Sequence, residues 1–223
     1  MKRTKLRQRQ LPRYSRGEEA MNMITHIAGG GLSVVMLVLG LWKAIPTGNT
    51  ITILTTAVYG LSMVTLYTMS SLYHGLRPGT AKKVLQVLDH CTIYFLIAGT
   101  YTPILLIKLA PVYPGIGWGL GMAQWLLAAL AITLTAIDLR KYRVFSMICY
   151  IGMGWGIALF LPQALTVMTL PGFLWLLAGG IAYTIGAVLF GLGKKIKWMH
   201  SVFHILVVLG TVLQFVAIIR FVF

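Results

Sequence analysis

Long apolar runs separated by short polar breaks make up most of the chain from about residue 22 onward. A membrane-spanning helix needs roughly 20 mostly apolar residues, and the runs have about that length. The pattern therefore predicts seven transmembrane helices. They cover residues 22–43, 50–74, 84–107, 116–137, 143–162, 172–193 and 199–221.

Proline, glycine and charged residues occupy the breaks between these runs, as expected where helices end. The break between the fifth and sixth spans is predicted as a loop over residues 162–171, which has a proline at each end. Pro103 lies inside the third span and predicts a kink there.

Composition supports a lipid environment. Hydrophobic residues make up 58% of the chain, charged residues only 10%, and the mean hydropathy is +0.83. A soluble domain carries about 25% charged residues. We therefore predict an all-α polytopic membrane protein, with a seven-helix membrane domain over residues 18–223 and a basic tail over residues 1–17.

The net charge of +15 is distributed asymmetrically along the chain. If the N-terminus lies in the cytoplasm, 16 of the 19 Lys and Arg fall on the cytoplasmic side, and only Lys43, Lys108 and Arg220 fall outside. Such a bias sets the orientation of membrane proteins. We predict a cytoplasmic N-terminus, with the lipid bilayer rather than nucleic acid as the partner of the basic residues.

Acidic residues and histidines gather on the same predicted cytoplasmic side. The chain has four acidic residues and five histidines. They are Glu18, Glu19, Asp89, Asp138, His26, His74, His90, His200 and His204. Ionisable groups within membrane helices are usually functional.

His200 and His204 are four residues apart at the start of the seventh span, so both imidazoles share one helical face about 6 Å apart along the axis. Ser70 and His74 end the second span, and Asp89 begins the third at the same depth. These five residues can converge at one membrane level. The alternative for the histidine pair is two core residues hydrogen-bonded to carbonyls.

Three imidazoles suit a Zn²⁺ site that keeps one coordination position open for water, as catalytic sites do. Asp89 could deprotonate that water, and Ser70 could hold a substrate oxygen. The alternative for Asp89 is a charge favoured at a helix N-terminus. We prefer the metal site, with His74, His200 and His204 as ligands.

Glu18, Asn22 and His26 form one polar stripe at the start of the first span. They either orient a metal ligand through hydrogen bonds or only cap the helix and meet the interface. His90 points about 100° away from Asp89 and is given no role. Asp138 is interpreted as half of an ion pair within a loop.

Several segments resemble the hemolysin III family, the bacterial branch of the progestin and adiponectin Q receptors, which is related to membrane hydrolases that include alkaline ceramidases. The segments that carry the resemblance are residues 18–26, Ser70-x3-His74 followed by Asp89, residues 98–103, and His200-x3-His204.

This resemblance implies that His74, His200 and His204 ligate Zn²⁺, that Asp89 contacts the reacting water and that Ser70 lines the site. It also implies seven helices in the bacterial cytoplasmic membrane with the N-terminus inside, and so a metal site on the cytoplasmic side.

The leading functional hypothesis is a zinc-dependent hydrolase of lipid amide or ester bonds that acts in membrane homeostasis. Two alternatives stay open: a non-catalytic receptor or sensor with structural zinc, and a pore-forming cytolysin. No charged group lies near the predicted bilayer midplane, which disfavours a transporter.

Overall fold

The computed structural model describes residues 4, 6–193 and 196–223, and within these ranges the chain is helical with no strand. The predicted all-α class is confirmed. The helices are α1 (Arg16–Ala44), α2 (Thr50–Gly75), α3 (Thr80–Pro103), α4 (Pro114–Ile137), α5 (Arg143–Gly154), α6 (Leu161–Leu192) and α7 (Met199–Phe221). Five bases counted in the orientation prediction, Lys2, Arg3, Lys5, Lys194 and Lys195, lie outside the described residues.

In the part of the chain that the structure describes, six helical segments are long and apolar enough to cross a membrane. One of them, Arg143–Leu192, has 50 residues and covers the fifth predicted span and all but the last residue of the sixth. The prediction of a loop over residues 162–171 is wrong for most of that range. The chain there is helical apart from a break at Thr169, where φ is 63°.

The prolines that suggested this loop stand where helices tolerate them. Pro162 lies in the first turn of α6, and Pro171 lies two residues after the break at Thr169. The first N–H groups of a helix have no intrahelical acceptor, so proline loses nothing there. The number of crossings stays a prediction.

Helices α1 and α3 begin before the first residues that hydropathy predicted. A capping box between Ser15 and Glu18 starts α1 at Arg16. The turns that hydropathy left out carry buried polar residues, Glu18 in α1 and Lys82 in α3. Because these polar side chains point into the bundle, hydropathy placed the span starts too late.

The predicted kink at Pro103 takes the form of a change in helix type. Helix α3 ends at Pro103, and a π-helix follows over Ile104–Leu109. Proline removes one backbone donor from the ladder, and π-helical turns commonly mark such irregularities.

Helices that are neighbours in sequence pack together from α1 to α4, α6 packs along α7, and α1 closes the arrangement against α7. Glycine allows the closest approach between α6 and α7. A Cβ at Gly179 would lie 2.9 Å from the carbonyl oxygen of Gly210. The contact of α1 with both α2 and α7 brings the end of α2 and the start of α7 together.

The N-terminal tail crosses the ends of α3 and α4. The Thr4 N–H donates to the Asp138 carboxylate (2.7 Å), and Lys83 Nζ donates to the Arg7 carbonyl (2.7 Å). The carboxylate of Asp138 also accepts the backbone N–H groups of Arg140 and Lys141. This differs from the ion pair expected for Asp138, because its partners are backbone amides.

Candidate metal centre

Three buried histidines meet where the end of α2 contacts the start of α7. His74 is the penultimate residue of α2, and His200 and His204 lie in the first turns of α7. One nitrogen from each ring lies within 4.8 Å of one from each of the others. The three side chains therefore form a group that could hold a metal ion.

Two of the ring nitrogens in this cluster lie at a separation that would suit two ligands of one metal ion. His200 Nε2 and His204 Nε2 lie 3.1 Å apart. Two nitrogens bound to one tetrahedral zinc at about 2.0–2.1 Å would be separated by about 3.3 Å. His74 Nε2 is buried and has no hydrogen-bond partner among the described residues. A buried nitrogen without a partner is costly, and a metal ion would satisfy it.

Glu19 fixes the orientation of His74. Its Oε2 lies 2.7 Å from His74 Nδ1, and its Oε1 accepts from Lys82 Nζ at 2.7 Å. An ionised carboxylate can only accept, so Nδ1 carries a proton and Nε2 is the nitrogen of the neutral ring that could bind a metal. Metal-binding histidines commonly have a carboxylate partner of this kind.

Lys82 also holds the end of α2 in place. It is only 3% exposed, and its Nζ donates to the carbonyls of His74 (3.3 Å) and Leu76 (3.0 Å). These bonds satisfy carbonyls that a helix end leaves without intrahelical donors. Lys82 thus fixes both the backbone of His74 and the carboxylate beside its ring.

Asn22 and His26 contact the cluster from α1. The Asn22 amide nitrogen lies 3.4 Å from His74 Nδ1, and its oxygen accepts from Ser201 Oγ at 2.7 Å. The ring of His26 lies against that of His204, with centroids 3.8 Å apart. Both residues therefore lie against the histidine cluster, and their role in orienting a metal ligand stays a prediction.

Glu18, the third member of the predicted stripe, points elsewhere. Its carboxylate accepts the Trp198 N–H at 2.9 Å and the Ser15 N–H at 2.8 Å. Trp198 has φ of 67° and directly precedes α7. Glu18 thus holds the turn that leads into α7, and Glu19 takes the position beside the histidine.

Tyr14 covers the cluster from the side of the tail. Its ring stacks on His200, with centroids 4.8 Å apart and planes 13° from parallel, and its centroid lies 5.9 Å from that of His74. Burial and the nearby carboxylate of Glu19 raise the pKa of Tyr14, so its hydroxyl stays protonated at neutral pH.

A cavity runs from the histidines into the bundle. Its polar end is lined by His26, Ser70, Asp89, His90, His200 and His204. Its walls are apolar and come from α3, α5, α6 and α7. They include Ile93, Leu96, Ile97, Ile151, Leu176 and Val207. Ser70 and Asp89 thus share one cavity with two of the three histidines, and His90 lines it too, contrary to the direction expected for its side chain.

Comparison with known proteins assigns the family. The sequence model of the family described as "Haemolysin-III related" matches residues 14–215. The chain belongs to this family. The family's match covers every residue of the histidine cluster and the cavity, and begins at Tyr14.

The relatives of this haemolysin-III family member include bacterial and animal proteins. It is 38% identical to "Hemolysin-3" of Bacillus cereus over 205 residues, which cover 92% of each chain. It is 34% identical to "Hemolysin-3 homolog" of Bacillus subtilis (strain 168), over 89% of this chain and 91% of that protein. It is 27% identical to "Monocyte to macrophage differentiation factor" of Homo sapiens, over 76% of this chain and 71% of that protein. No solved structure matches the chain.

Sequence reasoning missed Glu19, Lys82 and Tyr14. Glu19 has a detectable signal, because it precedes Asn22 by three residues and His26 by seven, which places all three on one helical face. Glu18 fits the same helical face nearly as well, because it precedes Asn22 by four residues, so the spacing alone does not choose between Glu18 and Glu19. Lys82 and Tyr14 have no such signal, since a lysine in a loop and an aromatic in a basic tail are ordinary at a membrane surface.

Proposed function

We propose that this protein is a zinc-dependent integral membrane hydrolase that cleaves an amide or ester bond of a lipid and acts in membrane homeostasis. The observation that carries the proposal is a cavity in which two of the three clustered histidines and the Asp89 carboxylate meet apolar walls. Such walls fit an acyl chain, and the polar end fits the carbonyl to be cleaved.

In this proposal His74, His200 and His204 hold the metal. Zinc with an open coordination position supplies a Lewis acid and lowers the pKa of water. Asp89 would take the proton from the attacking water and return it to the leaving amine or alcohol, and the Ser70 hydroxyl would donate to the carbonyl oxygen of the substrate. Glu19 keeps the proton on His74 Nδ1 throughout, so the ring presents Nε2 in every turnover.

The test compares the lipids of membranes that contain wild-type protein with those that contain Asp89→Asn, alongside metal analysis of both proteins. We expect the variant to keep its metal and to lose the lipid products. If His200→Ala abolishes zinc binding and leaves lipid turnover unchanged, the mechanism is wrong.

We also propose seven crossings of the bacterial cytoplasmic membrane, with the N-terminus and the metal site on the cytoplasmic side. The backbone break at Thr169 supports two crossings within Arg143–Leu192. A membrane-impermeant maleimide added to intact cells should label Val112→Cys and leave Gln8→Cys unlabelled. Both positions are exposed. The reverse labelling would overturn the orientation.

A second candidate is a receptor in which the metal is structural. It is favoured by the way the histidine cluster and the Glu19 network join α1, α2, α3 and α7. Metal removal would then lower the thermal stability strongly, and no lipid product would form.

The relatives named as hemolysins suggest a third candidate, a pore-forming cytolysin. Conductance of the purified protein in liposomes that persists in His200→Ala would favour it.

A further inference from the structure

A second polar pocket lies between the N-terminal tail and the start of α3, and it does not share its lining with the histidine cavity. Arg9 and Arg13 line it from the tail, and Gly79, Thr80 and Lys83 line it from α3 and the residue before it. No acidic residue is part of this lining. The pocket is therefore strongly basic.

Arg9 is the unusual member of this group. Arg9 is only 8% exposed, and its Nη2 donates to the Ile137 carbonyl at 3.2 Å. Its Nε and Nη1 are buried and have no partner among the described residues. A guanidinium is always charged and presents five donors, so burying it without an anion is costly.

No carboxylate side chain of the protein is free to supply that anion. The chain has only four acidic residues, and the structure places each of them elsewhere. Glu18 binds the Trp198 N–H, and Glu19 binds His74 and Lys82. Asp89 lines the histidine cavity. Asp138 accepts the N–H groups of Thr4, Arg140 and Lys141. Among the described residues, none of these four carboxylates therefore pairs with Arg9.

The start of α3 adds donors to the same pocket. This helix runs for 24 residues from Thr80, and no side chain caps its N-terminus at Gly79. The first N–H groups of a helix lack intrahelical acceptors and favour an anion, above all a phosphate.

From these observations we propose that the pocket of Arg9, Arg13, Lys83 and the α3 N-terminus binds a phosphate group. The tetrahedral, multiply charged phosphate matches a fork of guanidinium donors combined with helix amides. The group is carried either by a phospholipid headgroup or by a soluble phosphate compound. When bound, it would fasten the tail, and so Tyr14, over the histidine cluster.

The test uses the full-length protein in a detergent without phosphate. Sodium phosphate is titrated against sodium chloride at constant ionic strength while the unfolding temperature is recorded. We expect phosphate to stabilise the wild type. Arg9→Gln and the exposed Arg13→Gln should each weaken its apparent affinity on the order of tenfold or more.

The matched control is Arg7→Gln, which removes the same charge from an exposed position outside the pocket. We expect its phosphate affinity to stay within about twofold of wild type, because diffuse charge contributes little at constant ionic strength. Equal losses of phosphate affinity in Arg7→Gln and Arg13→Gln would overturn the site. So would a wild-type protein that is neither stabilised by inorganic phosphate nor able to retain an anionic phospholipid in the lipid experiment described next.

The lipid arm places wild type and Arg13→Gln in nanodiscs and counts retained lipids by native mass spectrometry. Phosphatidylglycerol retained by wild type and lost from Arg13→Gln, with a phosphate-free glycolipid unaffected, identifies a headgroup as the source. Stabilisation by inorganic phosphate without such retention identifies a soluble phosphate. The two proposals can fail separately, because the phosphate pocket and the histidine cavity share no lining residue.

Discussion

Two buried polar clusters join helices of this protein, and they differ in whether the chain itself satisfies them. In the middle of the bundle, the Thr211 hydroxyl lies 2.7 Å from the hydroxyls of both Tyr67 and Tyr183, and Tyr67 donates to the Val207 carbonyl at 3.3 Å. These groups form a closed chain of hydrogen bonds. The histidine cluster, whose α7 members lie about two to three turns away from Thr211, leaves His74 Nε2 without a hydrogen-bond partner among the described residues.

The difference separates a structural network from a group of side chains that could hold a metal ion. Hydroxyls can both donate and accept, so three of them with one carbonyl close without any outside group. Imidazole nitrogens that face one another cannot all donate, and a cation resolves this arrangement. Four predictions follow this contrast.

Loss of a ligand should have the largest effect. We expect His200→Ala to lower the bound metal per chain by more than about tenfold, because three ligands are few for tight binding and removing one opens the site. Elemental analysis of purified protein measures this. His90→Ala is the matched control, since it removes an imidazole from the same cavity and leaves the cluster whole. Metal loss in His90→Ala alone would contradict the assignment.

Loss of the carboxylate beside His74 should have the next largest effect. Glu19→Gln removes the acceptor that fixes the His74 tautomer, so metal affinity should fall about 10- to 100-fold. Competition with a chelator of known affinity measures it. Glu18→Gln removes an identical charge that contacts Trp198 instead, and it should leave metal affinity nearly unchanged. Equal losses would show that only net charge matters.

A change in the hydrogen-bond network of Thr211, Tyr67 and Tyr183 should lower stability and leave metal binding unaffected. Thr211→Val keeps the shape of the side chain and leaves two tyrosine hydroxyls without their shared partner, at a cost of about 1–3 kcal/mol. We expect a lower unfolding temperature with an unchanged metal content. A variant that loses metal would mean that the two clusters are coupled along α7.

The smallest effect concerns Asp138, a third buried polar group satisfied by the chain itself. Burial alone would raise its pKa, but the backbone N–H donors of Thr4, Lys141 and Arg140 lower it overall. A lowered pKa gives stability that is present above the unfolded value of about 3.9 and is lost as the pH falls through the folded value. Unfolding temperatures between neutral and acidic pH should therefore fall less in Asp138→Asn than in wild type. An identical fall in both would contradict this account.

Much of the fold could be predicted from hydropathy, because lipid demands long apolar helices whatever their packing. The errors share one cause. The starts of α1 and α3 carry polar residues that the bundle buries, and the residues around Pro162 form a first helical turn that tolerates proline. Hydropathy averages over a window and cannot tell a polar residue facing the bundle from one facing water.

The sequence by itself determined the helical class, and the i, i+4 spacing of His200 and His204, because both depend on local periodicity. The tertiary structure alone decided that Glu19 rather than Glu18 meets His74, and that Tyr14 covers His200. It also buried Arg9 where no carboxylate among the described residues pairs with it. These outcomes depend on the rotation of α1 and the path of the tail, which are set by contacts between helices distant in sequence.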